Sequence, residues 1–292
     1  IMNETAQIKA TPIAKLSRDV RNAAKLLTRD EVRYLVKLYY QTQKMREASF
    51  AQARALRAEV VDASKKIKPA QPCECITFMG EQYLAMEKEA KSMLEAFSKN
   101  NPVCQWMNSI YGIGPVISVG LYSMIDISKC QTAGAIWRYA GLDPTVEWKA
   151  KEKRPWNGEL KTLCWKLGES FVKSRNRDGD VYGHLYYERK QYELAKNEAG
   201  EYAAEAAKAL LKKNFQKKEV IETYKSGKLT PGHIESRAKR YAVKMFLSHL
   251  FEVWYIMENH KEPPVPYAIG ILGHAHKYEV PNFDKSLYLS KD

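Results

Sequence analysis

Ile110-Tyr111-Gly112-Ile113-Gly114-Pro115 decides how this chain reads. An apolar residue, any residue, glycine, an apolar residue and glycine in that order, with a short apolar segment on each side, spell the turn of a helix-hairpin-helix. Two glycines let the backbone adopt conformations that cost other residues a clash, so N–H groups approach a phosphate closely. Pro115 suits the first position of the next helix, whose positive end faces the same phosphate. A plain turn between two core helices has the same spelling, so the surrounding residues must carry the distinction.

The charge balance is the first of these. The 292 residues hold 47 Lys and Arg against 34 Asp and Glu, a net charge of +13 that points to a polyanionic partner. The excess is uneven, since residues 145–177 contain nine Lys and Arg against four Glu. No apolar run approaches the ~18–20 residues of a membrane span, and the first residues lack the apolar region of a secretory signal. The five cysteines are scattered, and Cys73-Glu-Cys75 has no second Cys or His pair at zinc-like spacing. The expectation is a reducing cytoplasm, beside the nucleoid of a bacterium or archaeon, with no membrane, metal or cofactor.

The fold class expected is all-α. Residues 29–66 contain no Gly or Pro, and Leu35, Leu38, Tyr39, Met45, Phe50, Ala53, Leu56 and Val60 recur at helical spacing. Lys68-Pro69-Ala70-Gln71-Pro72 ends that helix, and a second runs over 80–98 with Tyr83, Met86, Ala90, Met93 and Phe97 spaced 3-4-3-4. Together, 29–100 read as a helical hairpin or coiled-coil arm after an N-terminal segment 1–28, and bundle packing or a homodimer through the arm fit equally. A helical domain follows over 101–260. Its expected pieces are the hairpin, a short helix over 132–139, a basic irregular loop over 145–158, and helices over 159–174, 182–213 and 233–258. The stretch at about 190–230 reads as an exposed helical insertion, and 261–292 as an extended, irregular tail.

The run GIGPVISVGLYSMIDISKCQTAGAIWRYAGLDP resembles the C-terminal domain of the DEDD-type insertion-sequence transposases, whose recombination is guided by a bridge RNA. That family follows its helix-hairpin-helix with an Asp-Ile-Ser-like turn, here Asp126-Ile127-Ser128. A short helix and a Tyr-x-Gly-Leu-x-Pro stretch come next, here Tyr139-Ala140-Gly141-Leu142-Asp143-Pro144. NGELKTLCWKLGESF and RAKRYAVKMFLSHLFEVWY are similar to its later helices, and the arm fits its coiled-coil region, so the resemblance spans most of 29–258. Two features depart from it. Fewer than thirty residues precede the arm, too few for the family's acidic RNase H-like domain, and residues 145–158 contain no serine where the family places its nucleophile. The resemblance therefore implies a DNA-binding half without the parent chemistry.

The residues allow one economical chemistry. Backbone amides of Gly112, Ile113 and Gly114 would hold a phosphate without reading sequence. Lys149, Lys151, Lys153, Arg154, Lys161, Arg237, Arg240 and Lys244 would extend the track. Of the many aromatics (Trp137, Tyr139, Trp148, Trp156, Trp165, Tyr182, Tyr186 and Tyr187), most read as core. Trp148 and Trp156 flank lysines in the loop and suit base stacking. A stacking pocket beside a duplex grip is what a base-flipping enzyme needs. The enzymatic expectation is thus a metal-independent DNA glycosylase, an activity that would suit defence against phage with modified DNA. Asp143 and Glu147 are the candidate carboxylates, and Asp126 reads as a helix cap. The alternatives are a non-catalytic factor gripping DNA or a structured RNA, and a divergent transposase or metal-dependent nuclease using Asp126, Asp143, Asp178 and Asp180. His274 and His276 in the tail, His233 and His249 read as structural.

Overall fold

The computed structural model describes residues 15–57, 60–61, 67–68, 73–149, 151–212, 217–264 and 278–290. They form eleven α-helices and one two-residue antiparallel ladder, β1 (Val60–Val61) with β2 (Ile67–Lys68). None of the helices is long and apolar enough to cross a membrane. The chain divides into two compact units, 104 residues from the start together with 118–123, and 105–117 together with 124–292. The all-α expectation holds.

The first unit is the arm. After α1 (Arg18–Ala23), a capping box opens α2 (Arg29–Arg57): the Thr28 amide donates to Glu31 Oε2 at 2.7 Å, and the Glu31 amide to Thr28 Oγ1 at 3.3 Å. The helix stops at Arg57 rather than at 66, and the β-branched Val60, Val61 and Ile67 pair in the ladder instead. α3 (Glu74–Ser98) starts earlier than the sequence suggested, so Gly80 lies inside it. There the ring of Phe50 occupies the place of a side chain: a Cβ on Gly80 would sit 2.6 Å from Phe50 Cε1. Across the same interface Arg46 Nε donates to the buried Glu87 carboxylate at 2.6 Å. Val32, Leu35, Ala53, Ala90, Leu94 and Phe97 are buried, whereas Met45, Met79 and Met86 are exposed. The apolar stripe is therefore only partly consumed by the pairing of α2 with α3.

α4 (Pro102–Asn108) and α5 (Pro115–Met124) flank the hairpin, and Ser118–Ser123 of α5 group with the first unit. In the second unit, α6 (Ala133–Tyr139), α7 (Gly158–Ser174) and α8 (Val181–Glu198) pack on α11 (Pro231–Asn259). The core is aromatic. Trp106 stacks on Phe246 with ring centres 5.9 Å apart, and Tyr182 lies against both Phe171 and Phe246 at 5.1 and 5.3 Å. The buried Tyr182 hydroxyl is 2.7 Å from His249 Nδ1, so that histidine is a satisfied core residue. His233 likewise lies 3.3 Å from the Tyr224 hydroxyl. His274 and His276 fall outside the described residues.

The single helix expected over 182–213 is two. α8 ends at Glu198 with Ala199 as its C-cap, Gly200 takes φ 78°, and α9 (Ala203–Lys212) follows, with α10 (Lys218–Lys225) beyond it. This segment has its own small core of Tyr202, Ala206, Tyr224, Leu229 and Ile234. Glu193, 1% exposed, anchors it: Tyr202 and Arg237 donate to Oε2 at 2.6 Å each, and Arg189 Nε donates to Oε1 at 2.8 Å. In the stretch expected as an exposed insertion, a buried carboxylate thus gathers partners from α8, from the turn before α9 and from α11. The described tail, 278–290, contains a 3₁₀ turn over Lys285–Leu287 and is tied back by Trp106 Nε1, which donates to the Pro281 carbonyl at 2.9 Å.

Candidate nucleic-acid interface

Gly112 takes φ +83°, a region costly to other residues, and its carbonyl accepts a hydrogen bond of 2.5 Å from Ser170 on α7. Ile113 is buried, and its amide donates to the Ile110 carbonyl at 3.1 Å. The Ile113 amide is thus committed within the hairpin, while Gly112 is tied to α7 through its carbonyl. Gly114 differs, since a Cβ there would meet nothing within 4 Å, leaving the chain open to a ligand on that side. Its neighbours carry no motif that marks them in the sequence. Tyr111 is 43% exposed, and the Arg177 guanidinium lies 5.8 Å from its ring centre. An arginine after the last turn of α7 thus stands beside an exposed tyrosine of the hairpin.

The second surface is built where the loop 145–157 returns to α7. Gly141 takes φ +66°, and a Cβ on it would lie 2.8 Å from Trp156 Cγ, so the indole rests directly on that glycine. Lys161, on the first turn of α7, places its ammonium 4.1 Å from the centre of the Trp156 ring. Trp148 meets Trp156 edge to face at 5.9 Å, Arg154 lies 5.5 Å from the Trp148 ring, and Trp148 Nε1 donates to the Glu152 carbonyl. Tyr139, Lys153, Arg154, Pro155, Trp156 and Asn157 line an open cleft of about 430 Å³. Lys149 and Lys151 are exposed on the same loop, and Lys151 turns it with φ 77°. Partial burial, and then the charges of Arg240 and Arg154, hold the Lys161 ammonium below its usual range.

A second cavity of about 220 Å³ lies between α7 and α11, lined by Lys161, whose ammonium also meets Trp156 of the first cleft. Arg240 lines it, and Lys244 lies farther along α11 with its ammonium 4.2 Å from the Trp137 ring. Burial lowers the Lys244 ammonium, opposed by Asp143 and reinforced by Arg240 and Arg189. Arg237 does not belong to this surface, because its guanidinium is committed to Glu193. Trp165, read as core, is 62% exposed. Its position four residues after Lys161 on α7 was the available signal.

The two candidate carboxylates line neither cavity. Asp143 closes a local turn, accepting from the Thr145 hydroxyl at 2.7 Å and amide at 2.9 Å, which hold its carboxyl below the usual range. Glu147 is exposed. Asp126 opens a short 3₁₀ turn without capping it, and accepts from Ser128 Oγ instead. Among the described residues no group of three His, Cys, Asp or Glu is placed to hold a metal.

Helical periodicity relates the hairpin to the loop. Ser170 follows Lys161 by nine residues, so the two contacts lie roughly 13 Å apart along α7 and about 180° around it. The hairpin sits on one flank of α7 and the aromatic, cationic patch on the other. Between them the outward face carries the exposed Thr162 and Lys173. No family model, no curated protein and no solved structure matches the chain.

Proposed function

We propose that the second unit binds nucleic acid through its backbone, with duplex DNA as the principal ligand and no chemistry on it. The observation that carries this is the patch of Arg154, Lys161 and Lys153 interleaved with Trp148 and Trp156 around an open cleft. Cations beside stacking faces serve a polyanion whose repeating unit is a phosphate and a ring. The hairpin surface, with Arg177 and Tyr111, lies on the other flank of α7 and favours a wide ligand. A ligand touching both flanks must cross the outward face of α7. A helix ~10 Å across fits the ~12 Å major groove of a duplex. The resemblance to the DNA-holding region of bridge-RNA-guided transposases agrees with this reading.

Base excision needs a carboxylate facing the emptied sugar. The cleft is lined by cations, aromatics and Asn157, with Asp143 and Glu147 outside it, so binding is preferred over the glycosylase. One assay separates them. A labelled 20-mer duplex is titrated with protein across roughly 50–200 mM salt, where counterion release predicts a linear fall of log K with log salt. The same mixtures, free of metal, are then heated in alkali. Steep salt dependence with intact strands supports the proposal. Affinity that is flat with salt overturns nucleic-acid binding, and strand breaks at abasic sites restore excision. Replacing the duplex by a structured RNA of equal length tests the principal ligand, and tighter RNA binding would reassign it.

A further inference from the structure

The cavity between α7 and α11 has a makeup of its own. Lys161, Cys164, Trp165 and Gly168 of α7 face Ser236, Lys239, Arg240 and Val243 of α11, with Leu142 beside them. Three cations line it, but they are not equivalent. Lys239 is paired with Glu169 at 2.6 Å and with Glu235 at 3.3 Å, so its charge is balanced. Lys161 and Arg240 form no ion pair with any described residue, and each is exposed at the rim. Both stand where an anion would enter. Trp165, 62% exposed, is the one large aromatic of the lining. An indole left in water beside two cations without ion pairs costs hydration without a packing return, unless a ring covers it. The floor is apolar: Cys164 is fully buried, and burial pushes its thiol up to about 12, so it stays neutral. At about 220 Å³ the space is smaller than the ~300–1,000 Å³ of pockets that engulf a whole cofactor. It suits one phosphate and one ring.

We infer that this cavity receives a single unpaired nucleotide of a bound strand, its base on Trp165 and its phosphate between Lys161 and Arg240. The inference rests on the nucleic-acid reading above and refines it: the neighbouring patch holds paired strand, and this cavity takes the residue that has left the stack. Unstacking is least costly for a base already unpaired, so discrimination would favour bulges, overhangs and mismatches over perfect duplex.

The test compares three 20-mers by fluorescence anisotropy: a perfect duplex, the same duplex with a one-nucleotide bulge, and the bulge made abasic. Wild type is expected to bind the bulge about tenfold tighter than the perfect duplex, with the abasic bulge losing most of that gain, as one stacked base warrants. Trp165→Ala should bring bulged and perfect duplex to equal affinity while leaving the perfect duplex bound, and Trp165→Phe should retain most of the preference. Arg240→Gln should weaken bulge and abasic bulge alike. Equal wild-type affinity for bulged and perfect duplex overturns the cavity assignment and leaves duplex binding standing. A preference that survives Trp165→Ala overturns it too. Failure to bind any of the three removes both readings. Adenosine monophosphate and inorganic phosphate, added at millimolar level, identify the source of the ligand. Loss of the bulge preference with the nucleotide but not with phosphate is expected. Nucleotide binding without any bulge preference would assign the cavity to free nucleotides and overturn the strand-bound form, and equal competition by phosphate would overturn recognition of the base.

Discussion

Gly141 shows how a single missing side chain can place a functional group. Its φ of +66° and its contact with Trp156 both exclude a Cβ. Gly141→Ala should cost about 1–2 kcal/mol for the left-handed backbone alone and lift the indole off its seat. The expected readout is a lower midpoint of thermal unfolding with duplex affinity reduced several-fold; unchanged affinity would mean that Trp156 takes no part in binding. Gly114→Ala is the complementary case. Nothing lies within 4 Å of its Cβ, so the fold should tolerate it, and loss of affinity at unchanged stability would locate a phosphate there. Glu193 carries the pH dependence. Burial raises its carboxyl, but the hydrogen bonds from Tyr202, Arg237 and Arg189 outweigh that, and the group titrates below its usual range. A depressed folded value means that its stabilisation is present above the unfolded value near ~4.3 and is lost as pH falls through the folded one. Glu193→Gln should therefore cost about 2–3 kcal/mol near neutrality, with a smaller deficit in acid. Chemical denaturation at pH 7 and pH 4 checks this, and a deficit equal at both would contradict it.

Among the elements, the arm and α7 were read from sequence with unequal success. The start of α2 was legible because Thr28 and Glu31 cap it locally, whereas its end was not, because Val60 and Ile67 find partners in a ladder rather than in a helix. Gly80 looked like a boundary and is a seat for Phe50. Gly80→Val should overpack that contact and destabilise the arm by about 1–3 kcal/mol, seen as an earlier unfolding transition, while duplex affinity of the folded protein stays unchanged. The homodimer expected through the arm can be tested at its exposed methionines, Met45, Met79 and Met86. Sedimentation at micromolar concentration should show a dimer that Met45→Glu with Met86→Glu converts to monomer; a monomeric wild type ends that expectation. In α7 the buried face of Leu160, Leu163, Leu167 and Phe171 followed from spacing alone. Which of its outward residues would matter did not, because Lys161 acquires meaning only from Trp156 and Arg240, neither of them a neighbour on the helix.

For the molecule as a whole, the excess of +13 pointed to a polyanion before any fold was known, and the cationic cleft gives that charge a place. Charge reversal there should act additively on the salt response: Lys153→Glu and Arg154→Glu should each lower the slope of log K against log salt by about 1 if each contacts one phosphate. An unchanged slope would remove those side chains from the interface. What the sequence by itself determined is whatever depends on neighbours along the chain: helix periodicity, caps, the glycine turn of the hairpin, and net charge. Tertiary structure alone decided which charges are available. Arg237, Arg240 and Lys244 follow one another at helical spacing and look alike in sequence. Folding brings Glu193 from α8 against the first, leaves the second at the rim of a cavity, and lays the third against Trp137. A lysine or arginine is bound or free according to what lies across from it, and that partner comes from another element of the chain.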